Sequence, residues 1–351
     1  MPGPNASVLI LGARGRLGFA ATQAFARAGW KVLAQVRPAP FSRRESDVLD
    51  TLHGVRRLAV DLNDTAALVR AASGAGVVVH AVSPPYTQAQ WRAQCLPMLD
   101  AAIRVGEQLR ATLLFPGNVY NFGAAMPALL REDTPQSPTT VKGRLRVAME
   151  QRLADATQQG RLRAIVIRAG DFFGGGSGTW IDQVMVPRLR QGRITYPGPL
   201  DVPTAWAYLP DLAETFLRVA SRREERPAFD VLHFGGLSLT GADWVQMLGD
   251  VAREQGWLAP NAQPKLGTLP WPLIRACGML KPSWASLAEM RYLWTTPHRL
   301  DNARMLHWLG EEPTTPPTQA VRAALTDLGL LQGPQGVRST SAAPAAPARG
   351  A

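Results

Sequence analysis

Short apolar runs alternate with longer amphipathic stretches along the first half of the chain. The runs have the length and composition of buried strands, and apolar positions in most of the intervals recur at helical spacing. The first such interval ends at Gly29, a typical helix stop. Strands that alternate with helices form a parallel sheet with helices on both faces. We therefore predict an α/β fold with a doubly wound parallel sheet, whose strands are SVLILG, KVLAQVR, VRRLAV, GVVVHAV, ATLLFPG and RAIVIRAG.

Beyond about residue 175 the pattern loosens into loops rich in glycine and proline, with helical and short strand segments between them. We divide the chain into a first domain of residues 1–175, whose sheet later segments can complete, and a smaller region of residues 176–330. The second region is mixed but mainly helical and is predicted to bind the substrate. Residues 331–351 are mostly Ala, Pro, Gly and Ser, a composition that cannot bury a core, so we predict a disordered tail.

The composition fits one or two compact domains, since 46% of the 351 residues are hydrophobic and 19% are charged. No apolar run approaches the roughly 20 residues that span a bilayer. The first residues lack the pattern of a secretory signal. The two cysteines, Cys95 and Cys277, lie far apart, which argues against a disulfide framework or a metal cluster. We predict a cytoplasmic protein without a membrane or metal site, monomeric or homodimeric.

The net charge of +11 is typical of proteins that bind nucleic acid. The arginines, however, are scattered along predicted helices, and no zinc-finger spacing or basic aromatic tract accompanies them. Attraction for an anionic cofactor or substrate explains part of the charge equally well, and genomic composition can explain the excess of arginine over lysine. We therefore predict a small-molecule partner and no nucleic acid.

A glycine-rich segment, LILGARGRLGFA, follows the first predicted strand and opens the first predicted helix. Gly12 permits a tight turn, Gly15 lets the backbone approach a pyrophosphate, and Gly18 lets the helix pack closely on the sheet. The helix N-terminus presents N–H groups and a partial positive charge to the phosphates. In this position the triplet predicts a dinucleotide site in a Rossmann-like domain, to which Arg16 and Leu17 of the same loop also belong.

The end of the second predicted strand distinguishes NAD from NADP. Sites for NAD carry an acidic residue there, which accepts hydrogen bonds from the ribose hydroxyls. This strand reads KVLAQVRPAPFSRR and places Arg37 where the acid would lie, while Arg14 lies inside the glycine loop. Planar guanidinium groups suit a 2′-phosphate, so the sequence favours NADP(H) over NAD(H). For Arg43 and Arg44, which follow, solvated surface is the simpler interpretation.

These segments, taken in order, resemble the short-chain dehydrogenase/reductase superfamily, and best its extended branch of nucleotide-sugar epimerases and dehydratases. GARGRLG is similar to the branch's glycine loop, LLFPGNVYNFG to its strand-five S-S-x-x-V-Y-G, and LDNARMLHWLGEEPTTP to its C-terminal D-x-x-x-x-x-x-L-G-x-x-P. The resemblance implies an NAD(P)-dependent oxidoreductase or epimerase that acts on a small polar, anionic or nucleotide-sugar-like substrate. It also implies that Asp61, with Leu62, meets the adenine and that Ala81, Val82 and Ser83 lie beside the cofactor.

Two of the three catalytic groups of the superfamily are missing here. Its members carry Y-x-x-x-K on the helix after strand five, where the lysine holds the nicotinamide ribose and the tyrosine exchanges a proton, assisted by a serine or threonine. Lys142 fits the lysine by position, but Pro138 stands four residues before it, and Asn118 takes the place of the serine. Because proline transfers no proton, the resemblance is to an atypical branch without the tyrosine. The alternative for Lys142 is a solvent-facing helix residue, and at a helix start we expect it to bury little.

Several side chains are candidates to replace the tyrosine. Tyr120 follows strand five, although its counterpart in ordinary members is mostly structural, and Tyr86 lies on a loop that walls the substrate cleft. Asn118 can polarise a carbonyl through its amide hydrogens. Asp171 is either a base or a cap, and His80, inside an apolar strand, is more typical of a satisfied core residue. The predicted catalytic residues are Lys142, Tyr120 and Asn118, and the predicted substrate contacts are Tyr86, Asn118 and Asp171.

Two functions therefore stay open. The first is an NADP(H)-dependent oxidoreductase or epimerase, and the second is a catalytically silent dinucleotide-binding protein that senses the cofactor or offers a partner surface. A polar pocket with a proton donor facing the nicotinamide would favour the first.

Overall fold

The computed structural model of the chain describes residues 6–38, 48–278 and 282–332. Arg43, Arg44 and nearly all of the predicted tail lie outside these ranges. The strands are β1 (Ser7–Leu11), β2 (Lys31–Val36), β3 (Val55–Ala59), β4 (Val77–His80), β5 (Thr112–Asn118), β6 (Leu129–Leu130), β7 (Arg163–Ala169), β8 (Asp171–Phe173), β9 (Arg193–Tyr196), β10 (Thr204–Tyr208), β11 (Phe229–His233), β12 (Leu237–Leu239), β13 (Lys265–Thr268) and β14 (Arg299–Leu300).

The helices alternate with the strands in the first half and dominate the last quarter. They are α1 (Arg16–Arg27), α2 (Thr65–Ala71), α3 (Gln88–Leu109), α4 (Val141–Gln158), α5 (Leu209–Arg222), α6 (Gly241–Glu254), α7 (Trp271–Cys277), α8 (Pro282–Glu289), α9 (Tyr292–Thr295), α10 (Ala303–Leu309) and α11 (Pro317–Asp327). Shorter helical turns lie at Val48–Thr51, Val119–Phe122, Ile181–Met185, Leu189–Gln191 and Arg223–Glu225.

A seven-stranded parallel sheet forms the centre of the molecule, in the order β11-β7-β5-β4-β1-β2-β3. Its inner strands are mostly apolar because both faces are covered. In β1, Val8 and Ile10 belong to the core beneath α1 and α5, whereas Leu9 and Leu11 belong to the core beneath α2, α3 and α4. The predicted α/β fold with a doubly wound, Rossmann-like sheet is confirmed.

The sheet is completed from beyond residue 175, because β11 pairs in parallel with β7 at its edge. The rest of the second region, together with β6 and β8 of the first, forms a mixed layer with three small sheets, β12-β10-β8, β13-β9 and β14-β6. Its core is aromatic, with Trp206, Trp244 and Trp294 nearly or fully buried around Phe173. This region packs over the carboxyl ends of the parallel strands through β14, which pairs with β6, and through α8, which contacts α3. None of the described helices has the length and apolar character needed to cross a membrane.

Candidate functional site

The glycine loop joins β1 to α1 in a conformation that its residue types require. Gly12 has a φ of +80°, and its amide donates to the side-chain oxygen of Gln35 at 2.9 Å. The Gln35 amide nitrogen in turn donates to the Val60 carbonyl at 2.7 Å, so this side chain ties the loop to the end of β3. A Cβ atom at Gly12 would lie 2.8 Å from a methyl group of Val82. The turn therefore excludes any other residue at position 12.

The second half of the loop brings α1 against the sheet and leaves its first amides uncapped. A Cβ atom at Gly18 would lie 2.2 Å from the Gly12 carbonyl oxygen, which excludes a side chain there. Gly15 is the N-cap of α1 and has no side chain that could accept a hydrogen bond from the amides of the first turn. These amides, at the positive end of the helix dipole, form an anion site suited to a pyrophosphate.

A cleft of about 770 Å³ opens beside this loop along the carboxyl ends of β1, β2 and β4. Such a volume suits a cofactor. Most of the predicted cofactor residues line it, namely Gly12, Arg14, Gly15, Arg37, Asp61, Leu62, Ala81, Val82 and Ser83. Arg16, Gly18 and Lys142 do not line the cleft, and neither does Leu17, which is 7% exposed and packs in the core. Lining residues that the sequence prediction missed are Gln35, Val36, Asn63, Pro85 and four residues of α3, Ala93, Gln94, Pro97 and Met98.

One of these omissions had a signal in the sequence. Gln35 is the polar residue of an otherwise apolar strand interior, close to the strand's carboxyl end. A buried amide must find partners, and at this edge the glycine loop offers them. The residues of α3 carried no comparable signal, because the periodicity of a helix does not show which part of the molecule its polar face will meet.

A second group of side chains lies at the carboxyl ends of β4, β5 and β7. We call it the polar cluster and define it as Tyr86, Tyr120, Lys142, Asp171 and Glu289. The hydroxyls of Tyr86 and Tyr120 lie close to each other, and both lie within the electrostatic reach of the Asp171 carboxyl. Burial raises the pKa of both tyrosines, so they are proton donors rather than bases. Tyr86 as a residue is nevertheless 42% exposed, so the cluster borders open space.

Lys142 is fully buried, with 0% of its surface exposed. The expectation that it buries little, and the alternative of a solvent-facing residue, are therefore wrong. The reason is α8, which packs onto the start of α4: the Lys142 ammonium lies 3.4 Å from the Ser286 carbonyl oxygen and 3.5 Å from Oε2 of Glu289. On its other side it lies 4.3 Å from the centre of the Tyr86 ring. Burial lowers the pKa of Lys142, and Glu289 opposes this effect.

Glu289 joins three helices at this point. Its carboxylate accepts hydrogen bonds from the Val141 amide at the start of α4 and from the Gln88 side chain at the start of α3, the latter at 2.9 Å. The backbone amide of Gln88 donates a hydrogen bond to the Ser286 hydroxyl at 3.0 Å. The sequence analysis did not identify Glu289, because its partners lie about 150 and 200 positions away.

Asp171 is the first residue of β8, directly after the turn that follows β7. Burial raises its pKa to about 7, and the opposing effect comes from Arg16, the residue after Gly15. A carboxyl group with such a pKa can accept or release a proton near neutral pH. Through Arg16 the polar cluster is also coupled electrostatically to the glycine loop.

Asn118 and His80 complete the predicted set. The Asn118 side-chain oxygen accepts a hydrogen bond from the Tyr120 amide at 3.0 Å, so only its NH₂ group can serve a substrate carbonyl. His80 lies in the core with its ring centre 5.2 Å from that of Phe115. Neither ring nitrogen has a hydrogen-bond partner in the described part of the chain, and burial, with Arg146 nearby, lowers its pKa to about 3. His80 is a core residue, as expected, but not a satisfied one.

Comparisons with known proteins agree with this geometry. The model of the NAD dependent epimerase/dehydratase family matches residues 8–233. The UDP-glucose 4-epimerase of Brucella ovis in complex with NAD superimposes with a TM-score of 0.69 at 16% sequence identity, over 92% of this chain and 98% of that chain. The UDP-glucose 4-epimerase of Thermotoga maritima with UDP-glucose gives 0.68 at 13% identity, over 92% and 98%. The UDP-glucose 4-epimerase of Stenotrophomonas maltophila, with bound NAD and formylated UDP-arabinopyranose, gives 0.70 at 16%, over 92% and 97%.

At these identities the structural likeness shows the fold alone, and no curated protein matches the chain in sequence. The family match is decisive because it covers more than half of the chain and includes the glycine loop, β4, β5 and α4. It confirms the resemblance to the extended branch of the short-chain dehydrogenases/reductases. This chain belongs to the NAD dependent epimerase/dehydratase family.

Proposed function

We propose that this chain binds NADP(H) and acts as an oxidoreductase or epimerase on a nucleotide-sugar-like substrate. The observation that carries the proposal is that the cleft and the polar cluster lie next to each other at the carboxyl ends of the parallel strands: Pro85, the residue before Tyr86, lines the cleft, and Arg16 of the glycine loop is electrostatically coupled to Asp171 of the cluster. Relatives of the same fold hold NAD and UDP-sugars, which supports both the cofactor class and the substrate class.

The residues of the cleft fit a dinucleotide. The uncapped amides of α1 suit the pyrophosphate, and the tight turn at Gly12 keeps the backbone close to the phosphates. Asp61, whose carboxylate accepts a hydrogen bond from the Asn63 amide at 2.8 Å, lines the cleft and is the residue that we propose to contact the adenine. A bound nicotinamide cofactor, after which the family is named, would supply the group that accepts and donates the hydride. The chain itself must position the substrate hydroxyl and take up its proton.

The polar cluster contains the groups that can do this. Tyr86 and Tyr120 hold their protons and can donate hydrogen bonds to a substrate oxygen. Asp171, with a pKa of about 7, and Lys142, with a lowered pKa, can both exchange a proton closer to neutral pH than ordinary residues of their types. The second region covers the cluster through α8 and limits access of water from that side.

One observation favours the catalytically silent alternative. The Lys142 ammonium already has a carboxylate partner, Glu289, and the proton-donating tyrosine of the family is absent. The two functions are separated by incubating the protein with NADP⁺ and UDP-glucose or UDP-glucuronic acid. An oxidoreductase or epimerase should form reduced nicotinamide or a new sugar epimer, detected by absorbance and by NMR. If the protein binds the cofactor tightly but changes none of the sugars tested, the catalytically silent cofactor sensor is the remaining function.

The cofactor preference gives a sharper prediction. If the Arg14 and Arg37 guanidinium groups contact a 2′-phosphate, NADP⁺ should bind at least about tenfold more tightly than NAD⁺, which equals about 1.4 kcal/mol. The Arg37→Asp variant should lose or reverse this preference, because its carboxylate repels the phosphate and accepts hydrogen bonds from a free ribose. Calorimetric titration of both proteins with both cofactors measures the ratios. Arg27→Asp, at the far end of α1, is the charge-matched control. Equal affinities of the unaltered protein for the two cofactors would contradict the preference.

A further inference from the structure

Helix α4 places two cations, rather than one, at the polar cluster. Lys142 and Arg146 are four residues apart, so they lie on the same face of the helix, one turn from each other. The pair that the family carries on this helix, Y-x-x-x-K, has the same spacing, and its second member is basic. The chain therefore allows a second alignment of its helix with that pair, in which Lys142 stands in the tyrosine's place and Arg146 in the lysine's place.

The guanidinium group of Arg146 is held in place by several contacts and still has an unused hydrogen-bond donor. Its Nη1 donates to the Pro116 carbonyl of β5 at 3.0 Å, and its guanidinium lies 5.3 Å from the ring centre of Trp91 and 5.4 Å from that of Phe115. These contacts hold the guanidinium group close to the carboxyl end of β5. Its Nε atom is buried and has no hydrogen-bond partner among the described residues. Arg146 as a whole is only partly buried, so a ligand can reach its guanidinium from the carboxyl ends of the strands, and its unused donor suits a hydroxyl or anionic group.

The contacts of Lys142 are different in kind. Its ammonium is fully buried, yet its two polar contacts with residues that the structure describes are long, at 3.4 and 3.5 Å. The titratable residues that face it are Glu289 from α8, Tyr86 from the loop after β4, through its ring, and Cys95 from α3, through its thiol. The amine is thus desolvated and weakly held, and it lies behind Tyr86, an exposed residue that borders open space.

We propose that the Lys142 amine takes over the proton exchange of the missing tyrosine and that Arg146 takes over the ribose contact of the lysine. This inference rests on the proposed function. During oxidation the neutral amine accepts the proton of the substrate hydroxyl while the substrate C–H electron pair leaves as hydride for the nicotinamide. The substrate C–O bond becomes a carbonyl, and the ammonium returns the proton when the hydride comes back. Tyr86 and Asn118 can then donate hydrogen bonds to the same oxygen.

The first measurement concerns the amine alone. The chain has only four lysines, Lys31, Lys142, Lys265 and Lys281, so selective isotope labelling of lysine gives four side-chain NMR signals. Lys142→Met identifies the signal by its loss. We expect the pKa of Lys142 to lie below the ordinary value of a lysine side chain and to fall further in Glu289→Gln, because a carboxylate that stabilises the ammonium is removed. A Lys142 amine that titrates at the ordinary lysine value would overturn the proton role.

The second measurement assigns the ribose contact. Titration with NADP⁺ should show Lys142→Met within about threefold of the unaltered protein, whereas Arg146→Met should bind at least about tenfold more weakly. Arg146→Lys should recover most of the affinity, since a lysine occupies that place in the family, and its recovery also shows that the loss in Arg146→Met is not a folding defect. Lys31→Met is the control for loss of a surface lysine.

The outcomes separate this inference from the proposed function. If the unaltered protein binds neither NADP⁺ nor NAD⁺, the proposed function fails first. If it binds the cofactor but Lys142→Met loses affinity and Arg146→Met does not, the proposed function stands and the roles proposed for the two cations are wrong.

Discussion

Gly15→Val is expected to abolish dinucleotide binding while the protein stays folded. The backbone at Gly15 is in an extended conformation with a φ of −70°, which valine adopts readily. A Cβ atom there would lie 3.2 Å from the Gly12 carbonyl oxygen and 3.5 Å from that of Ala81, so it has little room but no severe clash. The branched methyl groups must project beyond these oxygens into the cleft, where a pyrophosphate has to approach the first amides of α1.

We expect affinity for NADP⁺ to fall by at least about 100-fold, or about 2.7 kcal/mol, with a small change in melting temperature. Calorimetric titration and thermal unfolding measure the two effects. Gly18→Ala is the contrasting variant: its Cβ atom would lie 2.2 Å from the Gly12 carbonyl oxygen, so it should unfold the domain or destabilise it by several kcal/mol. Undiminished binding by Gly15→Val would place the phosphates elsewhere.

Asp171→Asn should change how stability depends on pH. Burial raises the pKa of this carboxyl from 3.8 to about 7 in the folded state, so between these values the folded protein holds a proton that the unfolded chain has released. The stability that Asp171 contributes relative to asparagine is therefore fully present below about pH 4 and is lost as the pH rises through 7.

The free energy of unfolding of the unaltered protein, minus that of Asp171→Asn, should fall by up to about 4 kcal/mol between pH 4 and pH 8. Urea unfolding of both proteins across this range gives the difference, in which the titration of all other groups cancels. Parallel curves would mean that the carboxyl group is solvated and cannot serve as an acid or base near neutral pH.

The parts of this fold that the sequence predicts are those set by neighbouring residues. Apolar runs with buried faces on both sides predicted the parallel strands, and the position of Gly12, Gly15 and Gly18 between a strand and a helix predicted the turn that forms there. The edge strand β11 was anticipated only as a later segment, because pairing across more than 60 positions leaves no local signal.

The polar cluster could be predicted only in pieces. Tyr86, Tyr120, Lys142 and Asp171 were each candidates because they follow strands of one parallel sheet, whose carboxyl ends meet at one edge. The burial of these side chains and their contacts could not be predicted from the sequence. The burial of Lys142 and the role of Glu289 depend on how α8 docks against the starts of α3 and α4, and side-chain periodicity within α8 does not specify that partner.

The central claim, that this chain carries a nicotinamide dinucleotide in the cleft beside its glycine loop, is tested most directly by native mass spectrometry of the gently purified protein. The account predicts one molecule of NADP(H) per chain, retained from purification or acquired on incubation with NADP⁺, and absent from Gly15→Val under the same conditions. A chain that keeps its bare mass with either NADP⁺ or NAD⁺ in large excess would contradict it.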